Sequence, residues 1–131
     1  MAEAGVDRLE SQKRVAAGFL RLAAAGRIDE AFAKFIAPGF THHNPYFASD
    51  AESLKAGMAA NARQFPQKAL DVLRVIGEED LVAVHSRVRH TPDERGFALV
   101  HIFRFEGDRV AELWDVAMEI PGDMKNASGM F

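Results

Sequence analysis

The chain has 131 residues, of which 48% are hydrophobic, a formal net charge of −3 and no cysteine. This composition predicts one domain over residues 1–131 with a single core, and it excludes disulfides and thiolate chemistry. No basic stripe is present, no apolar run approaches the roughly 18 residues of a membrane span, and the N-terminus lacks the regions of a signal peptide. We therefore expect a cytoplasmic protein that binds neither nucleic acid nor membranes.

Apolar residues at helical spacing predict three helices in the first half of the chain. They run from about Asp7 to Ala25, from Ile28 to the Pro38-Gly39 pair, and from Ser49 to about Arg63. Gly26 follows the first helix as a C′ glycine, and Asp29 is the predicted N-cap of the second. Pro38-Gly39 is predicted to end the second helix, and Ser49 to Glu52 matches a capping box for the third.

The segment between the second and third predicted helices, Phe40 to Phe47, is predicted as a short extended stretch that runs into a loop. Pro45 keeps Asn44 out of the helical region. If the stretch is extended, His42 and His43 point to opposite faces, so only one of them can enter a cavity. The alternative is a loop histidine in water followed by an Asn-Pro turn.

The period of the apolar pattern changes to two in the second half of the chain, which predicts strands. The predicted strands are Leu70 to Ile76, Asp80 to His90, Phe97 to Phe105 and Val110 to Met118. The last two flank a turn at Glu106 to Arg109 and form a β-hairpin. Three helices followed by an antiparallel meander predict an α+β fold. In it the helices pack on one face of a cone-shaped, curved antiparallel β-sheet, and the wide end leaves a pocket.

Two ionisable residues lie on otherwise apolar faces of this hairpin. Side chains alternate with period two, so His101 shares a face with Leu99 and Phe103, and Asp115 shares one with Leu113. One interpretation is an acid–base pair inside a pocket. The other is a buried, mutually satisfied polar pair that fixes the strand register.

The strand before the hairpin carries another histidine on a mixed face. Leu81, Ala83, His85 and Arg87 share one parity, and we expect this face to be inside. His85 would then bind a substrate oxygen or be a satisfied core histidine. His90, near the following turn, is expected to be exposed.

The opposite face of the hairpin is apolar as well, with Val100, Ile102 and Trp114. Exposed apolar sheet surface of this kind usually marks an interface, so we expect a homodimer through the outer sheet face. Trp114 is expected to pack under the helices or at that dimer face.

Three motifs carry a resemblance to a known family. They are Thr41-His42-His43-Asn44-Pro45, the hairpin from Val100-His101-Ile102-Phe103-Arg104-Phe105 to Val110-Ala-Glu-Leu-Trp-Asp-Val116, and the C-terminal Asn-x-x-Gly-Met-Phe. On these motifs the chain resembles the SnoaL-like polyketide cyclases. They belong to the nuclear-transport-factor-2-like superfamily, which also contains ketosteroid isomerase. The resemblance implies an α+β barrel, a homodimer, and chemistry that needs no metal and no cofactor.

The resemblance also implies roles for individual residues. His101 falls where the cyclases place an active-site histidine, and Asp115 falls where they place the general base. Asn44 stands where ketosteroid isomerase has its catalytic Asp, and Phe19 stands roughly where it has an oxyanion-hole tyrosine. These two departures argue against the isomerase route. His43 and Asn44 are implied near the mouth of the pocket.

The implied reaction is acid–base chemistry on a small apolar carbonyl compound, either an aldol condensation of the cyclase type or an isomerisation. In the aldol condensation the two residues have separate roles. Asp115 would remove a proton next to a carbonyl group, and His101 would donate a hydrogen bond to the developing oxyanion. The residues expected to bind substrate are Phe19, His43, Asn44 and His85.

Three other interpretations stay open on the sequence alone. A non-catalytic domain with the same pocket would bind a small molecule without turnover. An epoxide hydrolase of this superfamily would need an Asp-Arg-Asp set, for which Arg87 has the right parity. A metal site is the third, since His43, His85, His101 and Asp115 are zinc or iron ligand types, although no short spacing supports it.

Overall fold

The structure is a computed structural model that describes residues 2–131. Its helices are α1 (Ala2–Ala24), α2 (Ile28–Phe35) and α3 (Ala51–Gln64), and its strands are β1 (Ile36–His42), β2 (Ala69–Glu78), β3 (Leu81–Arg89), β4 (Phe97–Glu106) and β5 (Arg109–Glu119). No helix in this part of the chain is long and apolar enough to cross a membrane. The predicted α+β fold is confirmed.

The five strands form one mixed sheet in the order β1-β5-β4-β3-β2. Strands β2 to β5 pair antiparallel in chain order, as predicted. Strand β1 is parallel to β5 at the sheet edge, so the prediction of a wholly antiparallel sheet is wrong for this strand. Parallel neighbours need a long crossover connection, and here that connection consists of α3 and the three strands β2 to β4.

The Pro38-Gly39 pair lies within β1 and does not end α2, which stops at Phe35. Gly39 has a φ of +77°, and the register with β5 shifts between Ile36 and Thr41. A bulge in an edge strand accommodates a proline, which cannot donate to a ladder, and a glycine, which adopts a positive φ without strain. The pair therefore bends an edge strand, and the prediction that it stops the helix is wrong.

The ends of the helices follow the predictions in part. Gly26 has a φ of +83° just after α1, which confirms it as the C′ glycine. The N-cap of α2 is Arg27, and Asp29 lies in the first turn instead. The N-cap of α3 is Asp50, one residue later than predicted, and it accepts a 2.9 Å hydrogen bond from the Ser53 N–H. Adjacent polar residues compete for an N-cap, and the pattern alone does not choose between them.

The inner face of β3 differs from the predicted one. The buried side chains of this strand are Val82, Val84, Ser86 and Val88. The prediction that His85 and Arg87 face inward with Leu81 and Ala83 is wrong, because an error of one residue exchanges the two faces of a strand. Burying valine and serine costs far less than burying the Arg87 guanidinium, which decides the orientation.

The helices pack on the inner face of the sheet and build a core at one end of the space between them. Phe19 of α1 is fully buried. Its ring lies 5.5 Å from that of Phe32 on α2 and 6.1 Å from that of Phe103 on β4. Phe105 and Leu113 belong to the same cluster. Aromatic side chains thus fill one end of this space, and the other end is hollow.

Candidate active site

A cavity of about 330 Å³ lies between the sheet and helices α1 and α3. Much of its wall is apolar and includes Leu20, Leu54, Met58, Leu70, Phe97 and Leu99. The polar side chains that line it are Asn44, Asn61, Lys68, His90, His101 and Asp115. An apolar wall with a few polar groups is the usual form of a small-molecule site, and this volume is at the lower end of the usual range.

His101 on β4 and Asp115 on β5 stand directly opposite each other in the sheet. The Cβ atoms of such a cross-strand pair are about 4.5–5.5 Å apart, so the two side chains leave the sheet next to each other. Both line the cavity. The structure therefore brings together the two residues that the alternating pattern of the hairpin singled out.

His101 is the more buried member of this pair, with 8% of its surface exposed. Burial lowers the pKa of the imidazole, and the nearby Asp115 carboxylate opposes part of that change. The ring is therefore neutral at neutral pH and carries one proton on one of its two nitrogens. Its Nδ1 atom is buried and has no hydrogen-bond partner in the described part of the chain, so Asp115 does not satisfy it.

Asn44 holds Asp115 from the loop that follows β1. Its Nδ2 donates a 3.0 Å hydrogen bond to Asp115 Oδ2, and its Oδ1 accepts one of 2.9 Å from the Tyr46 N–H. The Asn44 N–H also donates to His42 Nδ1 at 3.1 Å. Asn44 lines the cavity, and its hydrogen bond holds the Asp115 carboxylate in one direction.

Of the two adjacent histidines, His42 and not His43 points inward. His42 is buried, and its Nε2 donates to the Ala48 carbonyl at 2.6 Å, which closes the loop. His43 lies on the outer face of the sheet, where its Nε2 is 2.6 Å from Glu112 Oε2 and its ring stacks on Trp114 with centroids 5.0 Å apart. The expectation that His43 borders the pocket is wrong, because the extended backbone turns it to the opposite face.

Two other residues expected to bind substrate do not line the cavity. His85 is on the outer face of β3, where its Nδ1 lies 2.8 Å from Arg74 Nη1 and its ring stacks against Phe131. Phe19 belongs to the core, where Phe103 and other aromatic side chains surround it. The reversed parity of β3 explains the first error, and the depth of α1 in the core explains the second.

The same geometry removes two of the alternative interpretations. His43 and His85 face outward, whereas His101 and Asp115 face inward, so these four cannot hold one metal ion. No three His, Asp or Glu side chains within residues 2–131 are placed to bind a metal together. Arg87 also faces outward and donates to the Arg95 carbonyl at 2.8 Å, so it cannot supply the arginine of an epoxide hydrolase set.

Three cavity residues are absent from the sequence-based site. His90, expected to be exposed, is half-buried between the rings of Phe65 and Phe97. Asn61 lies on the inner stripe of α3, one turn after Met58, and Lys68 lies two residues before Leu70, on the same side of β2. Asn61 follows Met58 at helical spacing, and Lys68 precedes Leu70 at strand spacing. These two spacings were the signal in the sequence that could have placed both residues in the cavity.

The comparisons with known proteins agree with this architecture. Residues 16–113 match the family of SnoaL-like domains, and no curated protein matches the chain. A SnoaL-like protein of unknown function from Burkholderia thailandensis is 18% identical, with a TM-score of 0.70, over 83% of this chain and 96% of that one. AclR from Streptomyces galilaeus, a candidate hydroxylase, is 24% identical, with a TM-score of 0.67, over 84% and 90%. A candidate polyketide cyclase from Acidithiobacillus ferrooxidans is 18% identical, with a TM-score of 0.66, over 82% and 87%.

At these identities the likeness to solved structures shows the fold alone. The family match goes further, because it runs from α1 into β5 and covers most of the chain. It includes Asn44 and His101 and ends two residues before Asp115. This chain belongs to the SnoaL-like domain family.

Proposed function

We propose that this protein is an enzyme that uses only its own side chains to catalyse an aldol condensation, as a cyclase does, on a small carbonyl compound. The observation that carries the proposal is the pair His101 and Asp115 on the wall of an apolar cavity. His101 has a neutral imidazole with one N–H group. A carbonyl oxygen of a ligand in the cavity would accept a hydrogen bond from that group, next to the Asp115 carboxylate.

Asp115 is the proposed base. Its Oδ2 accepts the Asn44 hydrogen bond, which fixes the rotation of the carboxylate and leaves Oδ1 for the substrate. In the first step Oδ1 takes a proton from the carbon next to the substrate carbonyl. The electron pair of the broken C–H bond moves into the carbonyl group and gives an enolate.

His101 is the proposed oxyanion donor. A neutral imidazole has one N–H group, which can hydrogen-bond to the enolate oxygen as negative charge develops on it. The enolate carbon then attacks a second carbonyl, and the new alkoxide takes back the proton that Asp115 removed. The apolar wall strengthens each of these interactions because it excludes water from the site.

The proposal is tested by a partial reaction that needs no knowledge of the natural substrate. In D₂O, the protein should exchange the methyl protons of 2-acetonaphthone for deuterium faster than buffer does, as followed by proton NMR. Asp115→Asn should lower this rate by on the order of a hundredfold, the usual effect of losing a general base. The matched control is Asp108→Asn, the same change in the exposed turn between β4 and β5.

Two results would reject the proposed enzyme. One is an exchange rate that Asp115→Asn leaves unchanged. The other is a wild-type protein that binds the ketone, as followed by its thermal stabilisation, but exchanges no faster than buffer. That second result would favour the non-catalytic binding function for the same cavity.

We also propose that a second copy of the chain covers the outer face of the sheet. One apolar row crosses four strands there, because Ile76, Ala83, Ile102 and Trp114 are successive register partners. Val116, next to this row on β5, is 67% exposed. A contiguous apolar surface on an otherwise charged protein usually marks an interface.

A further inference from the structure

Lys68 brings a positive charge to the cavity wall at a distance from the proposed acid–base pair. It precedes β2, and its Nζ donates a hydrogen bond to Asn61 Oδ1 on α3. It is half-buried, and burial lowers the pKa of its amine. A single amide oxygen occupies one of the three N–H groups of an ammonium, so the remaining donors are open to a ligand.

No carboxylate in the described part of the chain forms an ion pair with Lys68. Asp71, the acidic residue nearest to Lys68 in the sequence, pairs with Arg89 at 3.2 Å. Glu94 contacts His90 of the cavity lining and is engaged as well. Glu94 Oε1 accepts hydrogen bonds from the His90 backbone N–H at 2.6 Å and from His90 Nδ1 at 3.1 Å. A charged group that is half-buried without a counterion is destabilised unless an anion joins it.

The strand registers place Lys68 and the acid–base pair at different ends of the cavity. His101 is level with Val84 of β3, whereas Lys68 lies just beyond the last β2–β3 pair, Ala69 with Arg89. Val84 and His90 are six residues apart, which is about 20 Å of extended strand. The lining between the two ends is apolar and includes Leu70, Phe97 and Leu99.

From this arrangement we infer that the cavity binds a keto acid, whose carboxylate pairs with Lys68 while its ketone lies between His101 and Asp115. The ketone end of this assignment rests on the proposed function, and the carboxylate end rests on Lys68 alone. The reverse orientation would bring the ligand carboxylate against Asp115, and two like charges repel each other at short range. The charge distribution therefore sets both the class of ligand and its direction in the cavity.

The test compares 6-acetyl-2-naphthoate with its methyl ester, which has no charge and one additional methyl group, by isothermal titration calorimetry. Wild type should bind the acid about tenfold or more tightly than the ester, since a hydrogen bond to a charged group is worth more than one to a neutral group. Lys68→Gln should abolish that preference, and Lys68→Arg should keep it. Lys125→Gln, the same change in the exposed C-terminal segment, is the matched control.

If the wild-type protein binds the acid and the ester with equal affinity, that measurement alone overturns the inference. A preference that survives in Lys68→Gln would overturn it as well. A covalent adduct on Lys68 after borohydride treatment with the ketone would instead identify the lysine as an amine nucleophile that forms an imine. Because binding is measured without turnover, the acid preference should persist in Asp115→Asn. The carboxylate site therefore stands even if the proposed aldol chemistry fails.

Discussion

Asn44 Nδ2 and Asp115 Oδ2 are joined by a 3.0 Å hydrogen bond that connects the loop after β1 to the inner face of β5. The loop is itself held by His42, whose two ring nitrogens bond to the Asn44 N–H and to the Ala48 carbonyl. The direction of the carboxylate thus depends on a chain of contacts that ends outside the cavity. The loop after β1 therefore supports the proposed base.

Replacement of Asn44 should reduce catalysis more than it reduces binding. Asn44→Leu keeps the size of the side chain but removes the hydrogen bond, so Asp115 can rotate. We expect the deuterium exchange rate of bound 2-acetonaphthone to fall about tenfold, the loss of one charge-assisted hydrogen bond, with little change in ketone affinity. Rates measured at saturating ketone give the first quantity, and calorimetry gives the second.

Asn44→Asp keeps a polar side chain at this position but replaces the amide that donates to Asp115 with a carboxyl group. It brings a second carboxyl group within hydrogen-bond distance of Asp115, and two carboxylates that share a site do not both ionise readily. The acid limb of the pH–rate profile should therefore move to higher pH. If Asn44→Leu matches wild type in rate and Asn44→Asp matches it in pH profile, Asn44 does not orient the base.

The hairpin that carries the site could be predicted because all the information is local. His101 and Asp115 are separated by only one turn, and the strands on either side of it alternate cleanly. A short turn fixes the register of a hairpin, and register fixes which side chains share a face. The same reasoning predicted that Ile102 and Trp114 face outward.

The errors lie where both faces of an element are apolar or where pairing is non-local. In β3 the outer face carries Leu81 and Ala83, so hydrophobicity alone does not choose the side, and the charge of Arg87 was the better signal. The partner of β1 is β5, more than half the length of the chain away. Lys68 was missed because the predicted strand began at Leu70, two residues later, although the two residues share parity along an extended chain.

The proposed interface predicts that charge on the outer face dissociates the protein. The double substitution Ile102→Glu and Val116→Glu places four like charges across a two-fold contact. We expect the wild type to sediment as a dimer and the variant as a folded monomer, because buried carboxylates without partners are strongly disfavoured. Sedimentation velocity gives the mass, and circular dichroism verifies the fold.

The matched control for the interface is Gln67→Glu with Thr91→Glu, which adds the same charge in exposed loops. This variant should remain a dimer. A wild-type protein that stays monomeric at every accessible concentration, or a charged variant that stays dimeric, would show that the outer face has another role.

The pKa of His101 predicts how stability depends on pH. Burial lowers that pKa below the ordinary value, about 6.5, that the residue regains in the unfolded chain. Below about pH 6.5 the unfolded state therefore binds a proton that the native state does not, so the free energy of unfolding falls as the pH falls. One proton gives a slope of at most about 1.4 kcal/mol per pH unit. Urea unfolding between about pH 7 and pH 5 measures it.

His101→Phe and His101→Asn should both flatten this part of the stability profile, whatever their effect at neutral pH. Measurements stop at about pH 5 so that two carboxyl groups with lowered pKa values, Glu112 and Asp50, do not contribute to the measured slope. Hydrogen bonds from His43 and Arg104 lower the pKa of Glu112, and hydrogen bonds from Ser53 lower that of Asp50. Their stabilising effects are lost only below the ordinary carboxyl values, near 4. If both variants keep the wild-type slope between about pH 5 and pH 6.5, His101 is not the group that titrates there, and its burial does not lower its pKa.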